Sequence, residues 1–381
     1  MRGKVRLFEE KWSHYIGVKH SIFVNSGTSA NYLAFYILRS KLLSHERIKP
    51  GDEVITTPVT FPTSVYPIIN MGAIPVFVDI ELETLNINPA LIEDAISEKT
   101  KAIVPVHFMG HPADMESIME IAERHNLLVI EDVSEAHGSM IGGRKTGSFG
   151  DMGIFSFFFS HHISTIEGGA LTTNNDEYND IGRIIRSYGW IRTLDENRRR
   201  EIEAKYPYID PRHLYVEMGF NFKPTEINAA LGLYQIDRIE DIVEGKRANA
   251  NYLRRKLSNI PYLEDYILLP KEKKGYRHVW LGFPIVLRDE SPFNKLDAMN
   301  FLEERGIETR QLEAGNVLQQ PFMEKYKYRV HGSTDNSVRV MNKGLFFGVH
   351  HVMSKEDLDY IVQVFEELVA TLRKKENQSN K

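Results

Sequence analysis

Over its first 175 residues the chain alternates short apolar runs with helix-forming stretches, and that alternation admits little besides a layered α/β fold. The apolar runs at 53–57, 74–79, 102–107, 127–131, 153–157 and 170–173 are bounded by turn residues such as Pro50-Gly51-Asp52 and Gly72. Near-continuous apolar strands of this length suit a sheet covered on both faces. Between them, 29–43, 89–96 and 115–125 read as helices, with Asn88 and Asp114 as N-caps and Pro89 in a first turn. The predicted fold is a large domain with a mostly parallel central sheet flanked by helices, followed by a smaller C-terminal α/β domain. Ligands on such sheets bind at the carboxyl ends of the strands.

The large domain is expected over 1–240, interrupted by a polar, aromatic-dotted insertion at about 190–217, and the small domain over 241–381. A long helix is predicted over 225–257, a strand at 280–287, a helix near 294–305, and a last helix from Ser354 to about Arg373 before a frayed tail. The net charge of −5 gives no basic field for nucleic acid, and Arg198-Arg199-Arg200 sits among Glu196, Glu201 and Glu203 as a solvated face. No apolar run is long enough for a membrane span, and no signal-peptide apolar stretch opens the chain. Cysteine is absent, which removes disulfides, zinc thiolates, thiol nucleophiles and cysteine-held iron–sulfur clusters together. A cytoplasmic enzyme is the expected class.

Three segments carry chemistry. Asn25-Ser-Gly-Thr-Ser-Ala-Asn31 follows an apolar run and opens a helix, so Thr28 and Ser29 place hydroxyls and amides at a positive helix end, either as an anion cradle or as an ordinary cap. Ile130-Glu-Asp132-Val-Ser-Glu135-Ala-His137 puts acids at a strand end, where a carboxylate can pair with a buried cationic nitrogen or merely cap a helix. Phe155-Ser-Phe-Phe-Phe-Ser-His161-His162-Ile-Ser-Thr-Ile-Glu167-Gly-Gly169 is the third. Adjacent His161 and His162 on an extended segment point to opposite faces, so no metal is expected there.

Together these motifs resemble the pyridoxal-phosphate (PLP) sugar aminotransferase/dehydratase family of the aspartate-aminotransferase fold. The resemblance runs along nearly the whole chain and includes Pro50-Gly-Asp-Glu-Val-Ile55, Asp79-Ile-Glu-Leu-Glu-Thr-Leu-Asn86, Gly219-Phe-Asn-Phe-Lys223 and Ala229-Ala-Leu-Gly-Leu233. Most members carry a lysine five residues after the serine of Phe-Ser-Phe, where it holds PLP covalently; here that position is His161. Imidazole forms no such bond but moves protons near neutral pH. The segment, together with Ala314-Gly-Asn316, Asn342-Lys-Gly-Leu-Phe-Phe-Gly348 and His350, resembles the branch that removes the carbon-3 hydroxyl of nucleotide-linked 4-keto-6-deoxy sugars.

The resemblance implies PLP and its pyridoxamine form as cofactor, glutamate as amino donor, release of ammonia, and a GDP-linked 4-keto-6-deoxymannose substrate of colitose and O-antigen biosynthesis. It implies that Thr28, Ser29 and Ser156 hold the cofactor phosphate, with Asn221 reaching in from the second subunit of a homodimer. Phe61 would stack on the pyridine ring, Asp132 pair with its nitrogen, and Glu135 stand near its oxygen, where aminotransferases often have Gln. His161 would be the acid–base, and Lys223, Arg310, Asn316 and His350 contacts to sugar nucleotide or donor. A related dehydratase acting on a CDP-sugar also has histidine here but needs an iron–sulfur cluster and a reductase; without cysteine, the redox-neutral route is expected. Two other readings stay open: an aminotransferase in which another amine such as Lys145 serves, and a binding protein without catalysis. Relatives usually carry a further segment ahead of the point where this chain starts, which is expected to bear on the dimer and the substrate entrance.

Overall fold

The computed structural model describes residues 3–43 and 47–379. Its centre is an eight-stranded sheet in the order His20–Val24, Gly169–Thr173, Met152–Ser156, Leu128–Asp132, Thr100–Ile103, Glu53–Thr56, Ile74–Phe77 and Arg329–Val330. The last six strands run parallel, while Gly169–Thr173 is antiparallel to both its neighbours. The predicted strands are present with ends moved by one to four residues, in a mixed sheet that is mostly parallel. Burial on both faces explains their unbroken apolar character: Val54, Ile55, Ile103, Val129 and Ile130 have no exposed surface. Arg329–Val330 arrives from far along the chain to pair with Ile74–Phe77, and its Arg329 donates to Glu53, one strand further in, at 2.7 Å.

Helix Met115–His125 begins at Asp114, whose carboxylate accepts from the Ser117 amide at 3.2 Å, and ends at left-handed Asn126. Asn88 caps as expected, but 89–96 is a 3₁₀ turn and a short helix rather than one regular helix. The helix predicted over 29–43 spans Gly27–Leu38. The long helix predicted over 225–257 is two, Glu226–Ile236 and Ile239–Leu257, because the chain leaves helical geometry at Arg238 (φ −113°, ψ 0°). The insertion contains helix Glu196–Glu203, whose arginines pair with acids on its own face, Arg198 with Glu201 at 2.8 Å and Arg199 with Glu203 at 3.1 Å. The last helix continues to Ser379, past the predicted end at Arg373.

The N-terminal helix Lys4–Ile16 packs Phe8 and Trp12 onto Phe23, Phe155 and Phe157 beneath the sheet. It is pinned by Glu9, whose carboxylate takes Arg186 at 2.6 Å, Arg183 at 2.8 Å and the Phe23 amide at 3.0 Å. A second sheet, Ile267–Leu268, Phe283–Leu287, Gly344–Phe347 and Thr309–Gln311, forms a separate core with Ile239–Leu257, Lys295–Glu303 and Lys355–Ser379. Among the described residues, no helix is long and apolar enough to cross a membrane.

Candidate active site

The carboxyl ends of Leu128–Asp132 and Met152–Ser156 and the start of helix Gly27–Leu38 open onto one cavity of about 410 Å³. Six of the residues singled out from sequence line it: Thr28, Phe61, Asp132, Glu135, Ser156 and His161. The helix start reaches the strand end because residue 27 is glycine; a Cβ there would stand 2.6 Å from Ser156 Cβ. Ser26 and Thr28 thereby join Ser156 on one wall, where free helix amides favour an anion. Ser29 lies behind this wall, its hydroxyl donating to Asn25 at 2.6 Å and its amide to the Ser26 side chain at 3.0 Å.

Asp132 ends its strand with one carboxylate oxygen accepting from Ser64 at 2.6 Å and the other from the Ser134 amide at 3.1 Å. Phe61, 52% exposed, offers an aromatic face to the same space. Glu135 is buried and accepts the Met109 amide at 2.6 Å. Burial, then the charge of Glu313, then that of Asp132 hold its carboxyl well above the usual range, against the pull of the Met109 N–H. Burial also raises Glu313. Glu313 enters the cavity from the turn after Thr309–Gln311 at φ +46°, and sequence reasoning missed it.

His161 is partly buried, and its Nδ1 meets neither solvent nor a hydrogen-bond partner. Burial pushes its pKa down to about 4, with Lys246 acting in the same direction and Asp132 against it. His162 turns the other way, as adjacent positions predict, and is buried with Nε2 2.9 Å from the Val279 carbonyl. His137 completes a cluster, its ring centroid 5.9 Å from that of His161 and 5.6 Å from that of His162.

The other sequence candidates lie outside this lining. Asn221 is exposed and accepts from Asn25 through its carbonyl at 3.2 Å. Lys223 sits over the Tyr188 ring at 3.7 Å, and Arg310 pairs with Glu308. Asn316 is buried and caps Val317–Gln319, with its Nδ2 unpartnered; the His350 ring lies tilted against that of His351, centroids 4.3 Å apart. Lys145 lies over the Tyr15 ring at 4.3 Å, also away from the cavity. Among the described residues, the cavity lining contains no lysine.

The profile of the DegT/DnrJ/EryC1/StrS aminotransferase family matches residues 2–366. The lipopolysaccharide biosynthesis protein RfbH of Salmonella typhimurium is 39% identical over 94% of this chain and 84% of its own length. The dTDP-4-dehydro-2,6-dideoxy-D-glucose 3-dehydratase of Saccharopolyspora spinosa is 37% identical over 97% of this chain and 80% of its own. A crystal structure of GDP-4-keto-6-deoxymannose-3-dehydratase with a trapped PLP-glutamate geminal diamine superposes with a TM-score of 0.88 at 30% identity, covering 96% of this chain and 93% of that one. A profile match over nearly the whole length, together with relatives this similar, settles the family: the chain belongs to the DegT/DnrJ/EryC1/StrS aminotransferases, which have the PLP-dependent aminotransferase fold.

Proposed function

We propose that the chain is a PLP-dependent 3-dehydratase of a nucleotide-linked 4-keto-6-deoxy sugar, using glutamate as amino donor and releasing ammonia, with GDP-4-keto-6-deoxy-D-mannose the favoured substrate. One observation carries this reading: among the described residues, the cavity wall presents an imidazole at residue 161 and no lysine amine. The donor set fits the cofactor. Ser26, Thr28 and Ser156 suit a phosphate at a helix N-terminus, with Ser29 ordering them from behind. Asp132, braced by Ser64 and the Ser134 amide, suits a protonated ring nitrogen, and Phe61 suits the ring face. PLP in its amine form supplies an electron sink at the sugar's keto carbon.

His161 then moves the proton. With Nδ1 shut away, Nε2 is the nitrogen left to accept a proton at the reacting carbon and pass it to the departing hydroxyl. Its low proton affinity makes it a modest base but a strong conjugate acid, which suits hydroxyl departure. Glu135, its carboxyl pushed toward the protonated form by burial, would supply a donor near the ring oxygen where an amide would otherwise stand. Asn221 and Lys223 serve a second subunit's site in a homodimer, and Arg310, Asn316 and His350 meet the nucleotide sugar or the donor. A second copy has a surface to cover: Phe159, Met218, Ile227 and Tyr234 are all more than half exposed. The setting is cytoplasmic, and residues 1–240 and 241–381 act as the two domains between which substrate enters.

The test is ammonia release with PLP, glutamate and GDP-4-keto-6-deoxymannose, beside His161→Lys. Glutamate-dependent ammonia from the wild type, diverted to an aminated sugar in the variant, supports the reading. Stable amino sugar and no ammonia from the wild type overturns it.

A further inference from the structure

A buried lysine stands behind the histidines with no acid beside it. Lys246 is 5% exposed on helix Ile239–Leu257, and its Nζ donates to the carbonyls of Trp280 at 3.2 Å and Leu281 at 3.1 Å. Among the described residues, no carboxylate lies within salt-bridge distance of it. An uncompensated ammonium in such a place is costly, so the fold has to retain it deliberately.

The segment that holds it is itself constrained. Trp280 has φ +55°, in the left-handed region, and a Cβ at Gly110 would stand 2.7 Å from the Trp280 nitrogen. The amides of Val279 and Leu281 donate to Gly110 and Met109, which frees their carbonyls to face the other way. Val279 thus takes His162, while Trp280 and Leu281 take Lys246. Leu281 also lines the cavity with His161. Three successive carbonyls are therefore aimed at the imidazole cluster and at one cation behind it.

We infer that Lys246 is a positioning residue that adds to burial in disfavouring the His161 imidazolium, acting as a fixed positive charge behind the cluster; the inference rests on the proposed acid–base role of His161. The charges facing His161 are few and divide by side. Asp132 and Glu135 face it from the sheet end and the turn beyond, Glu167 from its own loop and Glu313 from the turn after Thr309–Gln311. His137 and His162 pack against it. Of the acids, Glu135 and Glu313 are held toward the neutral form, which leaves Asp132 and Glu167, and of these two it is Asp132 that draws a proton onto His161. Lys246 opposes that anion. Burial lowers its own pKa to about 8, so it is still a cation at pH 7. The same charge acts on His137, His162, His350 and His351, making it the common counterweight for the histidines on this side of the site. When His161 accepts a proton during turnover, the resulting imidazolium faces a like charge and gives the proton up readily.

The test is a titration of the full-length chain labelled at histidine Cε1, with His161 assigned by His161→Asn, followed by NMR in the wild type and in Lys246→Gln, Lys246→Met and Lys246→Arg. Gln preserves donors to both carbonyls without charge, Met is apolar and better tolerated in the interior, and Arg restores the charge. The expected result is a His161 midpoint raised by about one pH unit in Gln and in Met, and unmoved in Arg. The acid limb of the ammonia-release profile then moves with it. A midpoint unchanged in whichever neutral variant folds, or moved alike in Gln and Arg, overturns the inference. The titration uses no substrate, so its failure is distinct from failure of the dehydratase reading, which the ammonia assay decides alone.

Discussion

Substitution of Gly27 by alanine tests the cofactor cradle most directly. The new Cβ would lie 2.6 Å from Ser156 Cβ, 2.9 Å from its Oγ and 3.1 Å from its Cα. Carbon atoms rest about 3.5–4.0 Å apart, so the helix start must retreat from the strand end by roughly 1 Å. The nearest obstacles include backbone, so no side-chain rotation relieves them. Overpacking of this kind costs about 1–3 kcal/mol, and alanine's better helix propensity returns at most about 1 kcal/mol. If the phosphate sits where Ser26, Thr28 and Ser156 meet, PLP affinity falls by about 1–2 kcal/mol, or roughly 5- to 30-fold. Absorbance titration of PLP into the full-length variant measures the affinity, and urea unfolding without cofactor measures the strain. Adding Ser156→Gly removes two of the three close atoms together with a hydroxyl, so stability returns while affinity does not. Wild-type affinity in Gly27→Ala would refute the placement of the phosphate at this helix.

Other outcomes follow from buried charges and caps. Glu9→Gln leaves Arg186, 1% exposed, short of its carboxylate, and destabilises by about 3–5 kcal/mol in urea unfolding. Burial works against the Glu9 anion, but Arg186 and Arg183 bring its pKa below the usual value; its stabilisation is therefore complete above about pH 4.5 and lost as pH falls through the lowered folded value, an acid limb that Glu9→Gln flattens. Glu135 has the opposite sign: its raised folded pKa costs stability as pH climbs past the unfolded value, so Glu135→Gln melts higher than wild type at pH 7, and the gap closes toward pH 4. Asp114→Ala loses the cap on Met115–His125 and about 1 kcal/mol, with ammonia release intact.

What could be read from the sequence divides by the range of the interactions involved. Caps such as Asn88 and Asp114 are local, and both are found where the residues place them. The strands were legible because two-sided burial leaves unbroken apolar runs. The break at Arg238 was not, since residues on both sides of it favour helix and tertiary packing decides the turn. Glu313 gave no local signal: a lone acid in a turn has no periodicity, and its place in the cavity depends on a left-handed φ and on how the second sheet meets the first. Lys246 did leave one. Ile239, Ile242, Val243, Ala250, Leu253 and Leu257 mark the apolar stripe of their helix, and residue 246 falls on that stripe. A lysine in line with isoleucines and leucines is a residue to question.

The outermost strand of the large sheet has a consequence for synthesis. Arg329–Val330 covers the edge of Ile74–Phe77, and His331 extends the contact by donating to the Phe77 carbonyl at 2.9 Å. That edge strand leaves the ribosome long before its cover exists. At about 5–20 residues per second, the roughly 250 residues between them take on the order of 10–50 s to make. During that interval an apolar strand with unpaired amides and carbonyls is a template for another nascent chain. The yield of soluble protein should therefore depend on how quickly translation reaches residue 331, and slowing codons placed between 80 and 320 should divert the chain into aggregates without altering the finished molecule.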